Sequence, residues 1–321
     1  MTAETVLVTG AAGFVGWHVC QRLVECGYAV RGLDNFDPFY DRDRKEANIE
    51  ALQRSRAFRF LSGDVREAID VLEALDGVSV VVHLAARPGV RPSLEAQDVY
   101  FDVNARGTRV LLTACREAGV RRFVLASSSS VYGRGAALPF HEDAPLGTAT
   151  SPYAASKLAA ETLVTAEQKA GLRAVILRLF SVYGPRMRPD LALVRFAEQL
   201  STGRPITLLG DGRSVRDYTY AADAARAVGL AVQWTDGDAP AAEVLNVGSG
   251  RAVALDCLVA RLAAVYGVSP VIKRHPAHPA DLPATCADTA KARSVLGFAA
   301  NVELEDGIHE FVTWYEGAHG R

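Results

Sequence analysis

Short apolar runs alternate with longer amphipathic segments through most of the chain. The apolar runs predict buried strands, and the segments between them, with apolar residues at helical spacing, predict helices. The predicted strands span 5–9, 29–34, 58–61, 78–84, 122–127, 174–180 and 243–247. The predicted helices lie near 14–26, 43–54, 66–75, 95–118, 152–170, 220–234 and 304–316. This alternation is typical of βαβ units, so we predict an α/β fold with a Rossmann-type doubly wound parallel sheet.

Two stretches interrupt the alternation, the glycine- and proline-containing segment 181–215 and the irregular part after 248. We therefore predict a Rossmann domain of 1–180 plus 216–247 and a smaller, interleaved α/β substrate-binding lobe of 181–215 plus 248–321. Ligands of such sheets bind at the carboxyl ends of the strands. Several polar or small residues fall at or just beyond predicted strand ends, namely Gly10, Asp34, Asp64, 83–86, the serine run at 127–130 and Ser181.

The segment TVLVTGAAGFVG at 5–16 predicts a dinucleotide site, because it reads as strand, glycine turn and helix. Gly10 permits the tight turn, Gly13 lets the backbone approach a pyrophosphate, and Gly16 allows close helix–strand packing. Asp34 ends the next predicted strand, where an acid binds the adenosine ribose. Its carboxylate would repel a 2′-phosphate, so we expect NAD as the cofactor in preference to NADP. A glycine turn without a ligand is the alternative.

Tyr153 and Lys157 stand four residues apart in SPYAASK, on a predicted helix. Side chains at this spacing share one helix face, with Cβ atoms about 5–6 Å apart. A neighbouring positive charge favours phenolate, so we expect one lysine and a cationic cofactor together to lower the pKa of Tyr153 from its usual value of about 10 towards neutrality. Such a tyrosine can remove a hydroxyl proton. The alternative is an ordinary surface pair, since this spacing often arises by chance.

Composition narrows the function classes. With 35 Lys and Arg against 37 Asp and Glu, the net charge is −2, and the chain lacks the basic patch that nucleic acid requires. No apolar run approaches the length of a membrane span, and the first residues do not resemble a signal peptide, so we expect a cytoplasmic protein. The five cysteines are odd in number without a CxxC, and the seven histidines lack ligand spacing, so we expect no metal. His83, in an apolar strand, reads as a core residue.

A series of motifs in order resembles the extended short-chain dehydrogenase/reductases, specifically the nucleotide-sugar epimerases and dehydratases. The motifs are TGAAGFVG, Asp34-Asn35, Gly63-Asp64-Val65, HLAA, VNARGT, SSSSVYG, SPYAASK and RDYTYAAD. Two further stretches, DNFDPFYDRDRKEAN at 34–48 and FSVYGPRMRPDLAL at 180–193, resemble the subgroup that acts on UDP-glucuronate. The resemblance covers essentially the whole chain.

The resemblance implies epimerisation of UDP-glucuronate at carbon 4 through a 4-keto intermediate, with tightly bound NAD. Alternatives within the family are a UDP-glucose/galactose 4-epimerase and a UDP-glucuronate decarboxylase, and a non-enzymatic alternative is an NAD-binding sensor or scaffold. Decarboxylase and dehydratase relatives place a glutamate two residues after the catalytic Ser or Thr. This chain has Ser130 there, without a carboxylate anywhere in ASSSSVYG, which favours epimerisation.

The resemblance also assigns roles to residues. The catalytic set is Ser128, Tyr153 and Lys157. The NAD contacts are Gly10, Gly13, Phe14, Val15, Gly16, Asp34, Asn35, Asp64, Val65, Leu84, Ala85, Ala86, Asn104, Tyr153 and Lys157. The UDP-sugar contacts are Arg91, Ser128, Ser129, Ser130, Ser181, Arg188, Thr207, Leu209, Arg216 and Asp281, with Arg188 expected on the sugar carboxylate.

The remaining implications concern assembly and one departure from the family pattern. The helices near 94–118 and 152–170 are expected to pair with a second copy into a four-helix bundle, giving a homodimer. Position 278 is a histidine where relatives carry Arg or Gln near the diphosphate, which leaves that contact open.

Overall fold

The structure, a computed structural model, describes residues 4–237, 242–318 and 320. Its strands are β1 Thr5–Thr9, β2 Ala29–Asp34, β3 Phe58–Ser62, β4 Val80–His83, β5 Arg122–Ser128, β6 Arg173–Leu179, β7 Ser181–Tyr183, β8 Ile206–Leu209, β9 Val215–Tyr220, β10 Ala242–Val247, β11 Ala252–Ala254 and β12 Ile272–His275. Its α-helices are α1 Phe14–Glu25, α2 Arg42–Gln53, α3 Ala68–Leu75, α4 Gln97–Phe101, α5 Gly107–Glu117, α6 Pro152–Glu167, α7 Ala192–Ser201, α8 Ala221–Trp234, α9 Leu255–Tyr266, α10 Ala290–Leu296 and α11 Leu304–Ala318. Within these described ranges, none of the helices combines the length and apolar character needed to cross a membrane.

Seven strands form one parallel sheet in the order β10-β6-β5-β4-β1-β2-β3. Alternate residues of β1 enter opposite cores, with Val6 and Val8 on the face covered by α1 and α8 and Leu7 on the face covered by α3, α5 and α6. Side chains on a strand alternate between faces, so a sheet buried on both sides needs such continuous apolar runs. The predicted Rossmann-type doubly wound fold is confirmed.

The single helix expected near 95–118 is divided into three parts. A π-helical turn at Asp102–Arg106 separates α4 from α5. At this turn the side chain of Asn104 points inward, where its Oδ1 accepts a hydrogen bond from Arg87 N at 2.7 Å and its Nδ2 donates to Arg87 O at 3.1 Å. Single π-turns within helices often occur where a side chain is redirected for a function.

The remaining strands form two small sheets, one in the order β11-β9-β7 and the other the parallel pair β12-β8. They pack with α7, α9 and α11 around a separate apolar core. The sequence-based boundary at 216 falls inside β9, which pairs in a small sheet, because its alternating residues bury one face there. Ala292 and Leu296 of α10 pack in the core of the large sheet, although the predicted division places 248–321 in the smaller lobe. The division into two lobes stays a prediction.

Candidate active site

The glycine turn after β1 is built so tightly that two of its glycines cannot carry a side chain. Gly10 has a φ of +74°, and a Cβ there would lie 2.8 Å from Ala85 N. A Cβ on Gly16 would overlap the carbonyl oxygen of Gly10. Helix α1 begins at Phe14, and its N-cap Gly13 offers no side-chain hydrogen bond, so backbone N–H groups face outward. This geometry suits a phosphate-bearing ligand.

Acidic residues lie at the ends of the next two strands. The Asp34 carboxylate is buried and accepts hydrogen bonds from Ala12 N at 3.1 Å and Phe36 N at 2.8 Å. Burial raises the pKa of Asp34, and the nearby positive charge of Lys45 acts against that rise. Asp64 accepts a hydrogen bond from Asn35 Nδ2 at 2.8 Å.

Arg66 holds Asp64 in place at the end of the site. Its Nε donates to Asp64 Oδ1 at 2.9 Å and its Nη2 donates to Oδ2 at 2.7 Å. Burial would raise the pKa of Asp64, but the hydrogen bonds from Arg66 and Asn35 outweigh it and hold the pKa at about 2. Asp64 is therefore ionised and fixed, and Asn35 is oriented by it.

A cavity of about 200 Å³ runs over the glycine turn to the carboxyl ends of the strands. The expected NAD contacts line it, with the exception of Asn104. Asn104 lies behind the cavity and donates to Ser156 Oγ at 2.9 Å, and Ser156 Oγ donates to the carbonyl of Tyr153 at 2.8 Å. The geometry therefore points to a supporting position for Asn104 behind α6.

A second cavity of about 520 Å³ adjoins the first, and all the expected UDP-sugar contacts line it. Its charged lining residues are Arg91, Arg188, Arg195, Arg216 and Asp281. Among the described lining residues Asp281 is the only carboxylate, and it pairs with Arg91 through Nη2 and Oδ2 at 2.5 Å. Burial lowers the pKa of Arg216, whose Nη1 donates to Val215 O at 2.8 Å. An excess of guanidinium groups suits a polyanionic ligand.

The two cavities meet at Tyr153, which lines both of them. Ser127 and Arg188 also border both, so a group in one cavity is close to a group in the other at this point. Ser128 ends β5 and hydrogen-bonds the Tyr153 phenol. Ser130 donates to Ser128 Oγ from its own Oγ at 3.0 Å. The serine run and the tyrosine thus form one polar group at the junction.

Burial and neighbouring groups act in opposite directions on the acidity of Tyr153. Burial raises the pKa of Tyr153, and the hydrogen bond with Ser128 and the charge of Arg188 act in the opposite direction. Lys157 Nζ donates to the carbonyl of Ala126 at 2.6 Å. Burial lowers the pKa of Lys157 to about 8, with Glu161 one turn further along α6 opposing the change. Desolvation therefore outweighs the charges of the protein itself, and Lys157 alone does not lower the Tyr153 pKa.

Strands of the two small sheets carry Thr207, Leu209 and Ser181, which line the second cavity. The Gln199 amide brackets Thr207, donating to its Oγ1 and accepting from its N, both at 3.2 Å. His278 accepts a hydrogen bond from Ala280 N through Nδ1 at 3.2 Å. This local hydrogen bond orients the His278 ring within its own loop.

His83 is a core residue, as the sequence indicates. It is 2% exposed, and its Nδ1 and Nε2 hydrogen-bond the hydroxyls of Thr9 at 2.7 Å and Thr108 at 3.0 Å. Burial lowers the pKa of His83 to about 3. In the ranges that the structure describes, no group of three or more His, Cys, Asp or Glu side chains is arranged to hold a metal ion.

Several residues that line the two cavities are not among those predicted from the sequence. The smaller cavity also contains Phe39, Tyr40, Lys45 and Arg87, and the larger also contains Thr150, Arg195 and Tyr218. A signal for Lys45 exists, because α2 buries Lys45, Asn48, Ile49 and Leu52 at helical spacing. A lysine on the apolar stripe of a helix indicates a charge directed inward. The other missed residues lie where the sequence pattern carries no comparable signal.

The model of the NAD-dependent epimerase/dehydratase family matches residues 6–248 of the chain. A UDP-glucuronate 4-epimerase of Thermodesulfobacterium geofontis is 38% identical over 313 residues, with 96% of this chain and 95% of that protein covered. The match with this relative thus covers nearly the whole chain and not only the glycine turn and the serine run.

Solved structures agree with the sequence relatives. The UDP-glucuronic acid 4-epimerase of Bacillus cereus, in complex with UDP-glucuronic acid and NAD, is 33% identical with a TM-score of 0.92, covering 98% of this chain and 100% of that one. The UDP-glucose 4-epimerase of Thermus thermophilus, in complex with NAD, is 32% identical with a TM-score of 0.86 at the same coverage. The fold and the order of the motifs are therefore similar over nearly the whole chain.

Proposed function

The chain belongs to the NAD-dependent epimerase/dehydratase family, and on that premise we propose that it interconverts UDP-glucuronate and UDP-galacturonate at carbon 4. The relative from T. geofontis and the structure from B. cereus carry this activity in their names. The likeness is full-length in both directions, so it includes both cavities and not the dinucleotide fold alone.

NAD fits the smaller cavity. The glycine turn leaves room for a pyrophosphate against the N-terminus of α1, since Gly13, the N-cap of that helix, carries no side chain. Asp34 lies where an adenosine ribose would be held, and Asn35 is oriented by Asp64 beside it. When bound, NAD supplies a hydride acceptor that later returns the same hydride.

The single observation that carries the choice of substrate is the position of Arg188. Its guanidinium borders both cavities beside Tyr153, where the sugar of a nucleotide sugar must lie for carbon 4 to reach the base. A guanidinium binds a carboxylate through two parallel hydrogen bonds, which a sugar alcohol cannot reproduce. Arg216, which lies near Arg91 in the same cavity, provides positive charge for the diphosphate.

The chemistry assigned to the chain is proton transfer at the 4-hydroxyl oxygen. Tyr153 removes the proton of the 4-hydroxyl, and Ser128 donates a hydrogen bond that stabilises the phenolate. Lys157, held by Ala126 O, keeps a positive charge beside the reacting groups. The 4-keto sugar then rotates within the 520 Å³ cavity, and Tyr153 returns the proton after hydride arrives on the other face.

The composition of the larger cavity favours epimerisation over decarboxylation or dehydration. Asp281 is the only carboxylate among its described lining residues and is paired with Arg91, so an unpaired acid is lacking near the serine run. UDP-glucose 4-epimerisation is the second candidate, because the T. thermophilus enzyme of that name matches almost as well. The guanidinium of Arg188 at the sugar position distinguishes the two.

We also propose a homodimer and a cytoplasmic location. Leu94, Val99 and Phe101 expose 47%, 41% and 41% of their surface along the segment expected to pair into a four-helix bundle. Large apolar side chains exposed together on helices favour an interface. The five cysteines are free thiols, which fits a reducing compartment.

The experiment is an NMR time course of the purified protein with UDP-glucuronate, UDP-galacturonate, UDP-glucose and UDP-galactose. We expect the two uronates to interconvert and the neutral sugars to remain largely unchanged. Tyr153→Phe, run in parallel, keeps the aromatic ring and should lose at least about a hundredfold in rate, since general base catalysis contributes about 10²–10⁴. Equal turnover of uronates and neutral sugars would favour the second candidate, and full activity of Tyr153→Phe would remove the assigned base.

A further inference from the structure

Arg188 and Asp190 form a charge pair across Pro189, in the turn between β7 and α7. Arg188 Nε donates to Asp190 Oδ1 at 2.9 Å, and Arg188 Nη2 donates to Oδ2 at 3.0 Å. Two parallel charge-assisted hydrogen bonds fix the plane of a guanidinium and not only its position. The carboxylate of Asp190 thus determines which way the guanidinium faces.

The pair leaves part of Arg188 unused. A guanidinium has five N–H donors, and Asp190 takes one from Nε and one from Nη2. Across the described residues, Arg188 makes no further hydrogen bond from its side chain. One N–H of Nη1 and the second N–H of Nη2 therefore remain available and point in parallel from the tip of the guanidinium. We call this side of the group its end-on edge. That edge can hold a second carboxylate by the same two-point geometry.

The two residues lie on different sides of the cavity wall. Arg188, 18% exposed, lines both cavities and lies close enough to Tyr153 for its charge to act on the phenol. Asp190, 36% exposed, lies outside the lining residues of both cavities as the described part of the chain defines them. Asp190 therefore contacts the outer edge of the guanidinium and leaves the cavity free for a ligand.

We propose that Asp190 is a positioning residue that presents the end-on edge of Arg188 to the carboxylate of a UDP-uronate. The inference rests on the proposed function, since it assumes that Arg188 binds the sugar acid. Without Asp190 the long arginine side chain samples several rotamers and must be ordered when the ligand binds, which weakens binding. A neutral sugar does not use this edge, so its binding should not depend on Asp190.

The test measures dissociation constants of UDP-glucuronate and UDP-glucose by calorimetry, in the Tyr153→Phe background so that turnover does not interfere. Asp190→Asn keeps the shape and loses the charge and one acceptor. We expect it to weaken UDP-glucuronate about tenfold and to leave UDP-glucose within about twofold. Glu198→Gln is the matched control, because it makes the same change in an exposed ion pair between Glu198 of α7 and Arg204, which follows that helix.

Two further variants separate the possible failures. If Arg188→Ala abolishes the preference for UDP-glucuronate and Asp190→Asn leaves it intact, Asp190 does not position Arg188 and this inference is overturned. If Arg188→Ala also leaves the preference intact, the proposed reading of the carboxylate by Arg188 fails as well. In the double variant, Asp190→Asn should not weaken the binding of UDP-glucuronate beyond the effect of Arg188→Ala. A further loss of affinity in the double variant would show that Asp190 only supports the fold. Equal weakening of both ligands by Asp190→Asn alone would show the same.

Discussion

Proton transfer at the junction of the cavities depends on the pKa of Tyr153. Burial raises the pKa of its phenol, whereas the Ser128 hydrogen bond and the Arg188 charge lower it. A base must be deprotonated to act, so activity rises with pH through the pKa of Tyr153. Any substitution that removes a stabilising group should therefore move this rise to higher pH.

We expect Ser128→Ala to shift the acidic limb of the kcat–pH profile to higher pH and to lower kcat at neutral pH. The hydrogen bond from Ser128 stabilises the phenolate, and its loss leaves desolvation less opposed. The measurement is the profile of UDP-glucuronate turnover between about pH 5 and 10. Ser129→Ala, which removes the neighbouring hydroxyl in the same cavity, is the control, and an unshifted profile in Ser128→Ala would contradict the assignment.

The sequence could identify the reactive side chains but not their partners. Ser128, Tyr153 and Lys157 stand in motifs whose spacing is local, so they could be assigned before the fold was known. The pairing of Arg91 with Asp281 joins residues 190 positions apart and depends on how two loops meet. The effect of burial on the pKa of Tyr153 could not be predicted for the same reason, because desolvation depends on everything packed around the ring.

Among the elements, the turn between β1 and α1 has the least room for change. The N-terminus of α1 faces the smaller cavity, and the close packing of Gly16 on Gly10 brings the helix to that position. A bulkier residue must push the helix away from the strand, which would alter both stability and the phosphate site.

Gly16→Ala should lower the free energy of unfolding by about 1–3 kcal/mol and reduce the amount of NAD that copurifies. The added Cβ would overlap the carbonyl oxygen of Gly10, which is backbone and cannot rotate away. Denaturant unfolding and the cofactor content of the purified protein measure the two effects. Gly229→Ala in α8 is the control, since its Cβ would lie 3.8 Å from Arg22 Cγ and should leave stability unchanged or improved. Equal behaviour of the two variants would contradict this packing.

The strands of the large sheet could be predicted, but helices α7 and α9 and the strands of the two small sheets could not. The strands of the large sheet are apolar runs whose two faces are both buried, so their pattern is unambiguous. Strands β7 and β11 have three residues each, too few for a period to be recognised. The π-helical turn at Asp102–Arg106 depends on the inward hydrogen bonds of Asn104, which no local pattern encodes.

For the whole molecule, the free energy of unfolding depends on pH through two histidines that are neutral in the folded protein, the buried His83 and the half-buried His18. Burial lowers the pKa of His83 to about 3 and that of His18 to about 4, and His18 packs against Phe14 and Trp17. The unfolded chain binds a proton at each histidine near pH 6.5, whereas the folded chain does not. The stability contributed by their neutral forms is therefore complete above about pH 6.5 and is lost as the pH falls towards about 4.

We expect the free energy of unfolding to fall by up to about 1.4 kcal/mol per pH unit for each of these histidines below about pH 6.5. His18→Gln should reduce the slope by the contribution of one proton, which urea unfolding at about pH 7, 6 and 5 would measure. His309→Gln, at an exposed position on α11, is the control. A slope unaffected by His18→Gln would mean that His18 is protonated in the folded protein.

The packing of segments 181–215 and 248–321 against the rest of the chain could be predicted only in outline. The interruptions at 181–215 and after 248 indicate a second lobe, yet β9 and α10 each pack outside the region that the pattern assigns them. Such placement depends on contacts between distant segments, and a short amphipathic element is compatible with either core. The larger cavity follows from this packing, because its lining comes from both parts of the chain.

Inversion of carbon 4 of UDP-glucuronate, as proposed for this chain, requires that one hydride is removed and then returned. The most direct test is NMR of the product formed from UDP-glucuronate carrying deuterium at carbon 4. We expect UDP-galacturonate with the deuterium retained at carbon 4, because the hydride stays on the bound cofactor between the two transfers. Loss of the deuterium to solvent, release of carbon dioxide with a UDP-pentose, or an unchanged substrate would contradict the proposed inversion.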